Sequence, residues 1–294
     1  MQNNPLEDFY RQKEIYITLP TQGRWLSEEP NLSADGELGI KPLSLNDEML
    51  LNVPDSLYNG ESIFGLIKSI APDIVDPYEL SMPDFDVILL ASRAATYDKK
   101  MTVESVCPHC ESSNPYEIDL PSVLSKVKVI GGESTFEMDG LRFDLKANTV
   151  SAFNVYNIKT IEQSQLLRQL GKLENDQKIL HDEKYKKSLD TIASANIALI
   201  ADAVVSITTP DNKTVTDKQQ ICDFLSNASR QITLRIEKVV KELNANGLDK
   251  SFTFVCASEE CEKEFTGPIE FNPSFFFSNL SSAQKEILKK SNVS

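Results

Sequence analysis

The chain has 294 residues, enough for about two domains, or for one domain carrying a large insertion. Its hydrophobic content of 40% and charged content of 25% exclude wholesale disorder. A formal net charge of −14, with a sequence pI near 4.7, argues against nucleic acid as a general partner, because so acidic a surface repels phosphate.

No segment is long and apolar enough to span a bilayer, so membrane insertion is not expected. The opening Met1-Gln-Asn-Asn-Pro-Leu-Glu-Asp8 lacks the basic stretch and apolar run of a signal peptide, which predicts synthesis in a reducing cytosol. The basic clusters Lys184, Lys186, Lys187 and Lys285, Lys289, Lys290 read as solvated helix faces rather than phosphate sites.

In chain order, Ile15-Tyr-Ile-Thr-Leu-Pro20 and Glu37-Leu-Gly-Ile-Lys-Pro-Leu43 predict two short strands. Between them, Gly23 marks a turn and Trp25, the only tryptophan, is a packing anchor. A capped helix follows from Ser44 through Met49. Asp55 to Gly60 reads as a turn, leading into a helix over Glu61–Ile70 whose face is Ile63, Leu66, Ile67 and Ile70. Met82-Pro-Asp84 starts a third helix with a buried stripe at Phe85, Ile88, Leu89, Ser92 and Ala95.

From Thr102 the period changes to alternation: Val103, Ser105, Cys107, then Tyr116, Ile118, Leu120, with Cys107-Pro-His-Cys110 between the two runs. A second strand–knuckle–strand pattern comes near the end: Phe252 to Cys256, then Cys261, then Phe265 to Phe271. Between the two copies, Phe136 to Leu145 predicts a hairpin turning at Asp139-Gly140. Residues 151–203 read as helical, Ile207-Thr-Thr-Pro210 breaks the run, and Asp217 caps a helical stretch that ends at Asn246-Gly247.

The fold class expected is α+β: mostly helical, with a small N-terminal β-element and a split zinc-ribbon-like β-module interrupted by an all-helical insertion. The corresponding segments are 1–100 for the β-element and first helices, 101–147 with 248–272 for the split module, 148–247 for the insertion, and 273–294 for a C-terminal tail.

Four of the five cysteines carry the chemistry. A Cys-x-x-Cys turn brings two thiolates to one point, and a zinc ion needs four such ligands in a tetrahedron. Cys107 and Cys110 supply one turn, and Cys256 and Cys261 the other with a four-residue spacer. One structural zinc per chain is therefore expected, and four thiolates leave no open position for catalysis. Redox or unligated thiols are the alternative, although a thioredoxin-like pair would open a helix, whereas Pro115 and a β-pattern follow here. His109 inside the turn is expected to point outward, its use as a ligand being the alternative. The odd cysteine, Cys222, reads as a small buried residue.

Acids crowd both knuckles: Glu104, Glu111, Glu117 and Asp119 near the first, and Glu259, Glu260, Glu262 and Glu264 against Lys263 near the second. Such a surface opposes the nucleic-acid binding that many zinc ribbons perform. Phosphate-cradling glycine loops, His-Glu-x-x-His and Gly-x-Ser-x-Gly are all missing, and only two histidines exist, with His181 in a charged helical run. No enzyme is expected.

An ordered series of motifs adds a resemblance. It runs from Ile17-Thr-Leu-Pro-Thr-Gln-Gly-Arg24 through Gly36-Glu37-Leu38, Lys41-Pro42-Leu43, Leu45-Asn-Asp-Glu48 and Pro54-Asp-Ser-Leu-Tyr-Asn-Gly60. It continues with Asp84-Phe-Asp-Val-Ile-Leu-Leu90, Ser92-Arg-Ala-Ala-Thr-Tyr97 and Cys107-Pro-His-Cys110. Over about residues 15–125 this series resembles the T4-type bacteriophage baseplate hub family. The resemblance implies a role in building a contractile tail, as a hub subunit or as an assembly chaperone for it, with other hub or tail proteins as partners. It places the chain in the host cytoplasm during assembly or in the virion baseplate, and it offers no catalytic residues. The other functional class open is a zinc-ribbon regulator that binds nucleic acid. Two surfaces suit partners: Phe275-Phe-Phe277, which would otherwise cover the ribbon core, and the Lys/Glu-rich helices of 158–203, which would pair with another copy or pack internally.

Overall fold

The computed structural model describes residues 4–51, 61–131, 134–170, 178–249 and 251–268. Helices and antiparallel strand pairs make an α+β protein with two hydrophobic cores. The expected turn at Asp55–Gly60 and the Phe275–Phe277 patch lie outside the described residues.

The first core begins with β1 (Ile15–Ile17) paired antiparallel to β2 (Leu38–Ile40), with Ile15 opposite Ile40. Helices α1 (Leu45–Leu51), α2 (Glu61–Ile70) and α3 (Met82–Thr96) follow. In α2, Leu66, Ile67 and Ile70 are buried and Ile63 packs beside them, as the i, i+3, i+4, i+7 spacing requires. Helix α3 opens with a reciprocal cap: Asp84 N–H donates to the Ser81 hydroxyl at 3.3 Å, and that hydroxyl donates to the Asp84 carboxylate at 2.9 Å. The same carboxylate accepts from the Thr21 backbone N–H at 2.9 Å and from the Thr21 hydroxyl. Burial pushes the Asp84 carboxyl up, and these donors, with Arg24 nearby, oppose that shift. One buried acid thus locks the Thr21-Gln-Gly-Arg24 turn onto α3. Gln22 and Gly23 there adopt φ of 56° and 74°.

From α3 the chain enters β3 (Lys100–Val106), β4 (Ser113–Asp119) and the short α4 (Leu120–Leu124). β3 and β4 form a hairpin in which Lys100 faces Asp119 and Val106 faces Ser113. Near the end of the chain, β9 (Ser251–Val255) and β10 (Glu264–Pro268) form a second hairpin, with Val255 opposite Glu264. Alternation decides which faces meet. Met101, Ile118, Phe254 and Phe265 are buried in the first core, while Thr102, Glu104, Thr253 and Thr266 face water.

The second core is built from β5 (Thr135–Met138), β6 (Leu141–Leu145), α6 (Lys178–Ala203), β7 (Val204–Thr208), β8 (Thr214–Val215), α7 (Lys218–Asn227) and α8 (Arg230–Ala245), while α5 (Val150–Leu170), which precedes α6, places its Val150 in the first core. Asp139 and Gly140, at φ of 52° and 77°, make the tight hairpin turn that the Asp-Gly pair predicts. Asp217 caps α7 by accepting from Gln220 N–H at 2.9 Å, again as the sequence predicts.

Two expectations need correction. The stretch 148–247 is not wholly helical: β7 and β8 complete a four-stranded sheet in the order β5-β6-β7-β8. The β-branched residues of Val204-Val-Ser-Ile-Thr208 favour pairing over continuing the helix. Through the pairing of β6 with β7, Phe143 opposite Ile207, the 136–145 hairpin joins this sheet and the second core, not the cysteine hairpins.

Two seams join the cores. At one, Met82 N–H donates to Asn148 O at 2.9 Å and Val150 N–H to Leu80 O at 2.8 Å. At the other, Ile130 N–H reaches Pro20 O and Lys128 N–H reaches Gly247 O, both at 2.8 Å. Gly247 sits at φ +103°, and a Cβ there would meet Pro20 Cγ at 2.7 Å, so only glycine fits. Trp25 is half-buried against the second core.

Candidate metal centre

The two cysteine knuckles are built alike. In the first, Cys107 N–H donates to Ser112 O at 2.9 Å and Glu111 N–H returns to Cys107 O at 2.8 Å. In the second, Cys256 N–H donates to Lys263 O at 3.0 Å, and Cys261 N–H and Glu262 N–H close on Ser258 O at 2.9 and 3.1 Å. The residue after each outer cysteine turns into the left-handed region, Glu111 at φ 60° and Glu262 at φ 44°, and sends the chain back along its partner strand. Each turn therefore aims two sulfurs inward from the end of a hairpin.

Aromatic packing brings the hairpins together. The Tyr116 and Phe254 ring centroids lie 4.4 Å apart, Phe254 and Phe265 5.7 Å, and Tyr116 and Phe265 6.1 Å. These rings form a plug beneath the knuckles, drawn from strands about 140 residues apart in sequence.

The four sulfurs meet above the plug. Cys110 Sγ is 3.5 Å from Cys256 Sγ, Cys107 Sγ is 3.9 Å from Cys261 Sγ, and all four lie within 4.8 Å of one another. Disulfides require about 2.05 Å, so these cysteines are unpaired. A tetrahedral centre with metal–sulfur bonds of about 2.3 Å places its sulfurs roughly 3.8 Å apart, close to the 3.5 and 3.9 Å of these two pairs. Cys107 and Cys256 are buried, Cys261 is half-buried, and Cys110 is exposed at the rim. His109 is exposed and stands outside the sulfur cluster, and its backbone N–H donates to Cys107 Sγ at 3.4 Å.

The protein alone is a poor host for four negative charges. The Ser112 hydroxyl and backbone N–H pull the Cys110 thiol down to about 6. Cys261 receives a lowering contribution from the Lys263 N–H, yet burial and the three neighbouring cysteines push it up to about 11. A dication at the centre eases that conflict, because it touches all four thiolates and halves their summed charge. The donor set, the spacing and the charge balance all fit a soft, tetrahedral metal ion.

Sequence reasoning named the four cysteines and missed their support. Ser112 Oγ lies 3.0 Å from Cys110 Sγ and 3.4 Å from Cys256 Sγ, while Asn114 Nδ2 donates to Ser112 Oγ at 3.0 Å and to Cys256 Sγ at 3.7 Å. Donors of this kind orient metal ligands and temper their charge. The signal was the polar Ser112-Ser-Asn114 run directly after the first knuckle. Cys222 sits apart, half-buried against the second core, its thiol pushed up by burial. The acids flanking both knuckles, Glu104, Glu111, Glu259, Glu260, Glu262 and Glu264, are exposed. Among the described residues, no helix is long and apolar enough to cross a membrane.

Comparison with known proteins gives a family match. No curated protein and no solved structure matches the chain. A family described as "T4 bacteriophage base plate protein" matches residues 16–277, which takes in both cores, both seams and all four clustered cysteines. That span covers most of the sequence, and the chain therefore belongs to the T4 bacteriophage base plate protein family.

Proposed function

We propose that this protein takes part in building the hub of a contractile-tail baseplate, as a hub subunit or as the chaperone that assembles it, and that a structural zinc ion holds its first core together. The family match from residue 16 to 277 carries the first half of this reading, and contacts with other tail proteins follow from it. The cluster of Cys107, Cys110, Cys256 and Cys261 carries the second. Zinc is the ion a four-thiolate tetrahedron suits best. It makes a zinc-ribbon-like module of the two hairpins and leaves no position for water, so the metal staples and does not catalyse. Binding acts through protein surfaces; the exposed acids around the knuckles oppose a phosphate backbone.

Two measurements test the two halves separately. Elemental mass spectrometry on protein purified without added metal is expected to give one zinc per chain, with at most Cys222 reactive to a thiol reagent in the folded state. No metal and five reactive thiols would remove the zinc reading. For the hub reading, lysates of infected cells are fractionated and the chain is followed by mass spectrometry. It is expected in fractions that hold hub or baseplate intermediates, and mutant phage lacking it should stall before the hub is complete. Complete baseplates formed without it would overturn the assignment.

A further inference from the structure

Strand β5 is an outer strand of the β5-β6-β7-β8 sheet. Its hairpin turns through two residues, so Met138 exchanges hydrogen bonds with Leu141 and Phe136 with Phe143, and Ser134 O accepts from Leu145 N–H at 2.7 Å. The alternate residues, Thr135 and Glu137, direct their backbone N–H and C=O groups away from β6. Among the described residues, no hydrogen bond reaches these outward groups. Such an edge is a template for another extended backbone, and sheets commonly blunt it with a proline or a bulge. β5 carries neither.

The edge borders a groove. Phe136 and Met138 line it from β5, and Gln231, Leu234, Arg235 and Lys238, an i, i+3, i+4, i+7 stripe, line it from α8. Phe136 and Met138 are half-buried against the second core, and Leu234 is 49% exposed. Glu137 stands at the rim, but alternation turns its carboxylate to the other face of the sheet, opposite Arg142. The charges facing the groove are therefore Arg235, whose guanidinium lies 5.6 Å from the Phe136 ring centre, and Lys238. Among the described residues, neither cation is ion-paired with a carboxylate.

Backbone, apolar lining and charge together select the occupant. The free edge takes a strand. The side chains of that strand that face α8 recur at every second position, and they meet Leu234 beside two cations. On a chain of net charge −14, this stripe attracts an acidic segment that most of the surface repels. A second copy of the chain fits poorly, because pairing β5 with another β5 would set the two α8 stripes, with their cations, against each other.

We propose that the β5–α8 groove is a strand-addition site for an extended segment of a partner protein, in which an apolar residue and an Asp or Glu stand two positions apart. The segment pairs with Thr135 and Glu137, packs its apolar side chain against Phe136, Met138 and Leu234, and sets its carboxylate on Arg235 and Lys238. The site is independent of the metal centre and of the hub assignment. Random twelve-residue peptides displayed on yeast are panned against the full chain, and the enriched sequence is resynthesised for calorimetry and amide hydrogen exchange. Enriched peptides are expected to carry the apolar-x-acid spacing. Their binding should protect the N–H groups of Thr135 and Glu137, with little change at Phe136 and Met138, which the ladder already protects. The pair Arg235→Glu with Lys238→Glu should weaken binding by at least about 10-fold. Glu137→Pro, which removes one outward N–H and spares the β6 ladder, should weaken it as much. Circular dichroism and the melting temperature verify the fold of each variant. A library that gives no binder, binders without that spacing, or affinity that survives both changes would overturn the proposal. So would a full chain that dimerises through this edge in sedimentation velocity.

Discussion

At the scale of single residues, buried acids do much of the local joining. Asp47 closes the cap of α1: the Ser44 N–H and Ser44 hydroxyl both donate to its Oδ2 at 2.8 Å, and Arg11 binds the same oxygen at 2.7 Å. Arg11 also reaches Pro42 O and the Ser69 hydroxyl, so one ion pair ties the N-terminal segment to α1 and α2. Burial by itself would raise the Asp47 carboxyl. The Ser44 N–H, the Ser69 and Ser44 hydroxyls and Arg11 outweigh it and hold the group below the usual carboxylate range. A depressed carboxyl contributes stability that is present above its unfolded value and is lost as pH falls through the folded one. Asp47→Asn is therefore expected to cost about 1–2 kcal/mol at pH 7. In urea melts repeated at falling pH, the parent should converge on the variant below the ordinary carboxylate range. A gap that stays constant with pH would mean that packing, not charge, is what Asp47 supplies.

Among the elements, the cysteine hairpins are the ones that cannot stand alone. A two-stranded hairpin is marginal in water, and each of these has a single buried face. The Tyr116, Phe254 and Phe265 plug holds them at one end and the sulfur cluster at the other. Where metal-binding free energy is folding free energy, losing one ligand undermines the whole module. Cys110→Ser and Cys261→Ser are each expected to lose bound metal and to lower the melting temperature by more than about 10 °C. Ser112→Ala, which removes only a donor to the thiolates, should weaken metal affinity by about 10-fold or more while the chain still folds. Cysteine variants that melt like the parent would show that the sulfurs meet without a metal to hold. A different device secures the second core: the Lys218 ammonium donates to the carbonyls of Ala201 at 2.9 Å, Asp202 at 3.1 Å and Val204 at 2.6 Å, where α6 gives way to β7. Burial pushes that ammonium's pKa down, and the Ala201 and Asp202 carbonyls at the α6 C-terminus, with Val204 O on β7, favour its charged form.

Across the whole molecule, the two cores are fastened differently, and that difference should be visible on metal removal. The second core is closed by its own apolar residues, from Phe143 and Leu145 on β6 to Ile236 and Val240 on α8. The first needs β9 and β10, contributed from the far end of the chain, to supply Phe254, Cys256 and Phe265. Hydrogen exchange with and without a chelator is expected to show protection lost in β3, β4, β9 and β10 and kept in β6, β7, α7 and α8. Uniform loss of protection would mean that the seams at Pro20, Ile130 and Gly247 couple both cores into one cooperative unit.

The sequence by itself determined the local elements and the four cysteines that cluster. Helical spacing in Glu61–Ile70, the start of α3 at Met82-Pro-Asp84, the Asp139-Gly140 turn and the two knuckles are each set by a few neighbouring residues, and each forms as predicted. The α+β class follows from the same local periods. Tertiary structure decided which elements keep company. Period-2 alternation marks 136–145 as a hairpin but carries no address, and only pairing with β7 assigns it to the second sheet. Val204–Thr208 continues a helical run in sequence and becomes a strand because a partner edge and an apolar core are waiting for it. Ser112 and Asn114 read as ordinary turn residues until folding sets Cys256, more than 140 positions away, within reach of their donors. Contacts between distant parts of a chain depend on how its surfaces fit together, and that fit is not written in any single window of residues.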